Sequence, residues 1–204
     1  MTSGLNAKDA PMTASATPTR DAVEVLFSAE TIAQNIDQLA GHIARTGLER
    51  LLVVAVLKGS FVFAADLLRA MYRVGLAPEV DFISLASYRE ATRSAGHVDI
   101  LRDIETDVRG RNVLVVDDIL ESGRTLAFAR DLIVARGAAR VLTCVLLDKP
   151  VPRSVEIEAD FRAFKCPNEF VVGYGMDLAH RYRELPFVGR VVHAPNPAVR
   201  APQK

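Results

Sequence analysis

The chain has 204 residues, half of them hydrophobic, which is enough for one domain with a real core and a small appended lobe. Lys plus Arg (25) balance Asp plus Glu (25). That balance excludes the broad positive field that nucleic acid or an anionic membrane surface would attract, so any basic residues serving phosphates must be local. Two cysteines and four scattered histidines (His42, His97, His180, His193) give neither a disulfide framework nor a zinc spacing. This usage fits a reducing, cytoplasmic setting.

Residues 1–20 are rich in Ala, Thr, Ser and Pro and lack an apolar core, so they read as a disordered tail rather than a secretory signal. Ser28 before Ala-Glu marks a helix start, and Ile32, Ile36, Leu39 and Ile43 recur at helical spacing, with Gly47 as the stop. The continuous apolar run 51–57 predicts a buried strand, Lys58-Gly59-Ser60 a turn, and 61–73 an amphipathic helix. A second strand is expected over 80–88. Residues 89–97 are polar and aperiodic and read as a mobile loop, with a short strand over 98–101. Strands are expected over 112–116 and 140–147, the latter burying Cys144, with a helix over 124–136 closed by Gly137 between them. Residues 161–192 hold short β-like pieces, 161–164 and 170–172, and would form a small lobe. Residues 194–204 trail off. No run reaches transmembrane length.

Strand and helix alternate with short links, which predicts an α/β fold with a mainly parallel twisted sheet flanked by helices. Ligands of such sheets sit at the carboxyl ends of the strands. Lys58, Tyr88, Asp117, Asp118 and Lys149 all fall at such ends.

The most specific stretch is Val115-Val116-Asp117-Asp118-Ile119-Leu120-Glu121-Ser122-Gly123-Arg124-Thr125-Leu126. A strand runs into an acid pair, a third acid, then Ser-Gly-Arg-Thr and a helix. Backbone N–H groups around Ser122–Thr125 at a helix N-terminus can cradle a phosphate. The acids can accept hydrogen bonds from a diol. A ligand with a phosphate and vicinal hydroxyls, such as a phosphorylated ribose, suits both. A Walker A loop is excluded, because its second glycine and terminal Lys-Ser/Thr are missing. The plainer alternative is an acidic turn in which Ser122 caps a helix.

This run resembles the phosphoribosyl pyrophosphate (PRPP) signature of type I phosphoribosyltransferases. Leu57-Lys58-Gly59-Ser60 resembles the pyrophosphate loop of the hypoxanthine–guanine phosphoribosyltransferases, where the bond before the lysine is often cis. Glu79-Val80-Asp81-Phe82, Ser87-Tyr88, Asp148-Lys149-Pro150, Phe170 to Asp177 and Arg181 to Pro186 follow in family order. The resemblance, to the hypoxanthine phosphoribosyltransferase family, covers about residues 27–192. It implies a domain over 21–193 whose hood is mainly 161–192 with part of the N-terminal segment. It implies transfer of 5-phosphoribosyl from PRPP to a 6-oxopurine, hypoxanthine or guanine, giving IMP or GMP and pyrophosphate in purine salvage. It also implies a homodimer or homotetramer, with no nucleic-acid or membrane partner.

The residue roles implied by the resemblance are physically sensible. Asp117 and Asp118 would hold the ribose diol, and Ser122, Gly123, Arg124 and Thr125 the 5′-phosphate. Lys58, Gly59 and Arg183 would bind pyrophosphate, the arginine through its planar fork. Lys149 would donate to the 6-oxo oxygen, Phe170 would stack on the purine, and Val171 would meet position 2 through its backbone. Asp177 would ligate Mg²⁺, a hard ion that takes few protein oxygens. Ser87 and Tyr88 would sit on the closing loop. Glu121 would accept the ring N7 proton. The family commonly has Asp at that position, so here the carboxylate sits on an arm one methylene longer and must fold back, or its loop must shift. Two rivals follow. A PRPP-sensing regulator that binds nucleic acid would need a basic stripe or an added module, and neither is present. An adenine or pyrimidine phosphoribosyltransferase is disfavoured by Lys149 and by the Phe170–Asp177 segment.

Overall fold

A computed structural model describes residues 22–87 and 98–192, with only the backbone of Ser87. The two expected tails, Tyr88 and the loop to His97 lie outside the described residues. In chain order the elements are β1 (Ala22–Phe27), α1 (Ala29–Ala44), β2 (Leu51–Leu57), α2 (Phe61–Arg73), β3 (Glu79–Ser87) and β4 (Val98–Arg102). They continue with β5 (Asn112–Leu120), α3 (Arg124–Ala135), β6 (Arg140–Asp148), β7 (Phe161–Lys165), β8 (Val171–Val172) and β9 (Val188–Val192).

Six strands form the main sheet in the order β4-β3-β2-β5-β6-β7. β3, β2, β5, β6 and β7 run parallel, and β4 closes one edge antiparallel to β3. Both faces are covered, which is why β2 reads as an unbroken apolar run. Leu51, Val53 and Ala55 pack with Ile36, Phe63 and Leu67 of α1 and α2 on one side. Leu52, Val54 and Val56 pack with Leu126, Ala129 and Ile133 of α3 on the other. Ser28 caps α1, its Oγ accepting the Thr31 N–H at 3.2 Å, and the helix buries Ile32, Ile36, Leu39 and Ile43 as the periodicity predicts.

The strand order also locates the crevice. From β2 the chain proceeds outward to β3, whereas from β5 it proceeds the other way to β6 and β7. The sheet therefore reverses its winding between β2 and β5. Connections leave that point in opposite directions, and a gap opens above the carboxyl ends of the two strands.

Two expectations change. β5 does not end at Val116 but continues to Leu120, because its pairing with β6 persists through Asp117↔Val145, Ile119↔Leu147 and Leu120↔Asp148. β7, expected in the small lobe, pairs parallel with β6 at the edge of the main sheet. The small lobe has its own antiparallel sheet in the order β1-β9-β8. Its outer strand comes from the start of the described chain, with Ala22 opposite Val192.

Candidate active site

The gap between β2 and β5 is an open cavity of about 640 Å³. Lys58 and Gly59 line it from the end of β2, Asp117 and Asp118 from β5, and Glu121 to Thr125 from the turn into α3. A second cavity of about 260 Å³ adjoins it, lined by Lys149, Phe170, Val171, Met176 and Asp177. Asp118, Ile119, Glu121 and Asn168 border both, so the two form one continuous site.

The peptide bond Leu57–Lys58 is cis. Past it the backbone runs so close to β5 that a Cβ on Gly59 would lie 1.7 Å from Oδ2 of Asp118. Only a residue without a side chain leaves Asp118 where it is. Gly59→Ala is expected to displace that carboxylate or the loop, and to lower kcat/KM for PRPP by about 10² or more, the usual cost of an ångström-scale misplacement. Steady-state kinetics with varied PRPP checks this; an unchanged value would separate the loop from the acid pair.

Asp117 is 6% exposed. Its Oδ1 accepts the Asp118 N–H at 2.9 Å, and Asp118 Oδ1 accepts the Ile119 N–H at 2.8 Å. Burial, and then the neighbouring Asp118, hold the Asp117 carboxyl well above the usual range, and burial raises Asp118 too. A carboxyl raised in the folded state costs stability as pH climbs from the unfolded carboxylate range through the folded value. Asp117→Asn removes that cost. It is expected to raise Tm at pH 7, by roughly 2–4 °C per kcal/mol recovered in a chain of this size. No gain is expected below about pH 3, where both states hold the proton. PRPP affinity should fall in the same variant. Calorimetry at the two pH values checks the sign.

The turn into α3 is shaped by Gly123, not by a Ser122 cap. Gly123 is the N-cap residue with φ +81°, and a Cβ there would lie 2.7 Å from the Val155 carbonyl oxygen. Ser122 instead accepts the Arg124 N–H through Oγ at 3.4 Å, and its carbonyl takes the N–H groups of Ser154 and Val155 at 3.0 and 3.2 Å. Arg153 reaches from this same segment to Asp148 and to the Ile157 carbonyl, bracing the wall of the turn.

Lys149 follows β6 and is 5% exposed, its N–H donating to the Leu120 carbonyl at 3.0 Å. Its ammonium lies 3.4 Å from Glu121 Oε2. The Glu121 carboxylate is therefore drawn toward Lys149, which lines only the second cavity. Phe170 is 54% exposed, an aromatic face left open beside the buried Val171. Asp177 and Arg183 form an ion pair at 2.6 Å; the other Asp177 oxygen accepts the His180 N–H at 2.8 Å, and Arg183 also donates to the Gly175 carbonyl at 2.6 Å. Arg183 borders neither of the two cavities. It lines a separate apolar cleft of about 540 Å³ with Phe61, Tyr174 and Pro186, although its charge still opposes the burial that raises the Asp118 carboxyl. Tyr88 lies outside the described residues, and Ser87 is seen only as the end of β3.

Asn168, Glu169, Met176 and the Val151-Pro152-Ser154 wall were not anticipated. A lone Asn between Pro167 and Glu169 has no pattern to single it out. Glu169 is clamped by Arg190 of β9 at 3.0 Å, and Arg190 also holds Glu24 of β1 at 2.8 Å. The small sheet is thereby tied to the residue preceding Phe170.

Comparison with known proteins matches residues 22–178 to the phosphoribosyl transferase domain family. The bifunctional protein TilS/HprT of Listeria monocytogenes is 47% identical over 83% of this chain; the chain spans 26% of that protein's length. The hypoxanthine phosphoribosyltransferase of Salmonella typhimurium is 42% identical over 83% of this chain and 96% of its own. A crystal structure of a hypoxanthine-guanine phosphoribosyltransferase from Bacillus anthracis, with a HEPES molecule in the active site, superposes with a TM-score of 0.77 at 44% identity. It covers 83% of this chain and 98% of that one. The cavity at the β2–β5 reversal, its acid pair and its glycine turn are thus those of a chain that belongs to the phosphoribosyl transferase domain family, among the hypoxanthine phosphoribosyltransferases.

Proposed function

We propose that the protein transfers 5-phosphoribosyl from PRPP to a 6-oxopurine, hypoxanthine or guanine, releasing pyrophosphate. The observation that carries this reading is the continuity of the two cavities. One is built for a phosphate and a diol, the other offers a buried donor and an aromatic face, and Asp118 and Glu121 stand on their shared border.

In this reading the PRPP 5′-phosphate rests on the N–H groups at the start of α3, and Asp117 and Asp118 accept the ribose hydroxyls. Those hydrogen bonds favour ionised carboxylates, offsetting the burial that raises them in the free site. Lys58 faces the departing pyrophosphate as a point charge, and Arg183 supports it from behind the Gly175 turn. Lys149 donates to the 6-oxo oxygen and Phe170 stacks on the ring. As the ribose carbon gains positive character, the base nitrogen attacks and Glu121 accepts the N7 proton.

The residues suit Mg²⁺. Among the described residues no group of three His, Cys, Asp or Glu could cage a metal. Mg²⁺ bound through one carboxylate and the substrate's phosphate oxygens needs no such cage, and Asp177 offers that carboxylate on the wall of the base cavity. Bound there, the ion would neutralise charge on the leaving pyrophosphate. Asp177→Asn is expected to weaken Mg²⁺-dependent PRPP binding at least about tenfold, as loss of a charge-assisted contact does. Titration calorimetry with and without Mg²⁺ checks it, and full activity in excess chelator would remove the metal from the reading.

A cytoplasmic homodimer or homotetramer completes the proposal. No described helix is long and apolar enough to cross a membrane. The test of the whole reading is a coupled assay of purified protein with Mg²⁺, PRPP and each free base; failure of both hypoxanthine and guanine would overturn it.

A further inference from the structure

The pairing of Lys149 with Glu121 gives the lysine a second task, one that rests on the function proposed above. Glu121 is 40% exposed and borders both cavities; the Lys149 side chain is 6% exposed and borders only the smaller one. A glutamate carboxylate carried on a turn between a strand and a helix has several rotamers open to it. Here it is drawn to one side, with Oε2 3.4 Å from the buried ammonium. The ammonium has three donors and needs only one for an oxo group. It can therefore hold Glu121 and a ligand oxygen together. A donor and an acceptor then stand next to each other, matching the 6-oxo oxygen and the adjacent N7–H on one edge of an oxopurine.

We propose that Lys149 is the positioning residue for Glu121, and that the two read the O6/N7–H edge as one unit. Among the described residues the Lys149 ammonium is the ion-pair partner of the Glu121 carboxylate, and it selects the side to which that carboxylate turns. Lys149 thus governs recognition at N7, an atom it does not touch.

Two inert ligands separate the tasks. A 9-deaza-6-oxopurine keeps O6 and N7–H; a 7-deaza-6-oxopurine keeps O6 but has C–H at position 7. Neither carries the lone pair needed for attack, so both can be titrated into the full-length protein with PRPP and Mg²⁺. The two also differ at position 9, C–H against N–H, and that difference cancels when the ratio of their dissociation constants is compared between parent and variant, so the change in the ratio reports the Glu121–N7 contact. In the parent the 9-deaza compound is expected to bind at least about tenfold tighter, the usual worth of a hydrogen bond to a charged group. Lys149→Gln keeps an N–H for O6 and removes the charge; its ratio is expected to fall at least about threefold below the parent's. Lys149→Arg keeps the charge and should hold the parent's ratio. Lys149→Met, an apolar chain suited to a buried position, carries the same expectation as Gln and replaces it if that variant does not fold. A ratio unchanged in Gln or Met would overturn the positioning role and leave Lys149 as a donor to O6 only. If the parent bound neither compound, the oxopurine reading itself would fail and this inference with it.

Discussion

Adenine is expected to be used roughly 10⁴–10⁵-fold less efficiently than hypoxanthine, in kcat/KM, because a site built to hydrogen-bond one group rejects an analogue lacking it by about that factor. Lys149 is donor-only and 5% exposed, at the back of a cavity of about 260 Å³. The amino group of adenine would turn N–H toward that ammonium and leave its charge without an acceptor on the ligand. Lys149→Ala should close the gap mainly by losing the oxopurine. Steady-state kinetics with the two bases at saturating PRPP decides it. Comparable kcat/KM values in the parent would move the chain to another branch of the phosphoribosyltransferases.

The second large effect belongs to Glu121. Replacing it by Gln should lower kcat by roughly 10²–10⁴, the span of a lost general base, while PRPP binding stays nearly intact. Glu121→Asp should recover much of the loss, since the shorter acid keeps the charge and the acceptor. Single-turnover measurements isolate the chemical step from product release. An unchanged kcat in the Gln variant, under conditions where chemistry limits turnover, would take Glu121 out of the mechanism and send the proton to water or to phosphate.

Much of this was legible in the sequence because local chemistry and global fold agree there. The Ser28 cap, the double-faced burial of β2 and the span of α2 follow from pattern alone. The end of β5 did not, since the acid pair Asp117-Asp118 reads as the point where the apolar strand stops. In the structure those acids continue the ladder to β6 and sit desolvated at the sheet's point of reversal. The pairing of the small sheet was not legible in the residue pattern, although the resemblance assigned part of the N-terminal segment to that lobe. β1 is largely exposed, β8 has two residues, and their pairing through β9 joins segments more than a hundred residues apart. No local periodicity encodes such contacts. β7 was misassigned because a short strand looks the same whether it docks on a lobe or on a sheet edge. Arg183 was expected at the pyrophosphate; its salt bridge to Asp177 and its turn toward the apolar cleft come from tertiary packing.

The Gly175 turn deepens what the glycine at position 59 implies. A Cβ on Gly175 would lie 2.3 Å from the Gly59 carbonyl oxygen. The loop at the end of β2 and the loop carrying Met176 and Asp177 therefore meet main chain to main chain. Such a seam has no rotamers with which to absorb a displacement, so a shift of one loop must be passed on as a shift of the other. In the proposed reading the seam joins the pyrophosphate end of the site to the base end, and a variant that shifts one loop is expected to change ligand affinity at the other. By linkage the effect runs equally in both directions.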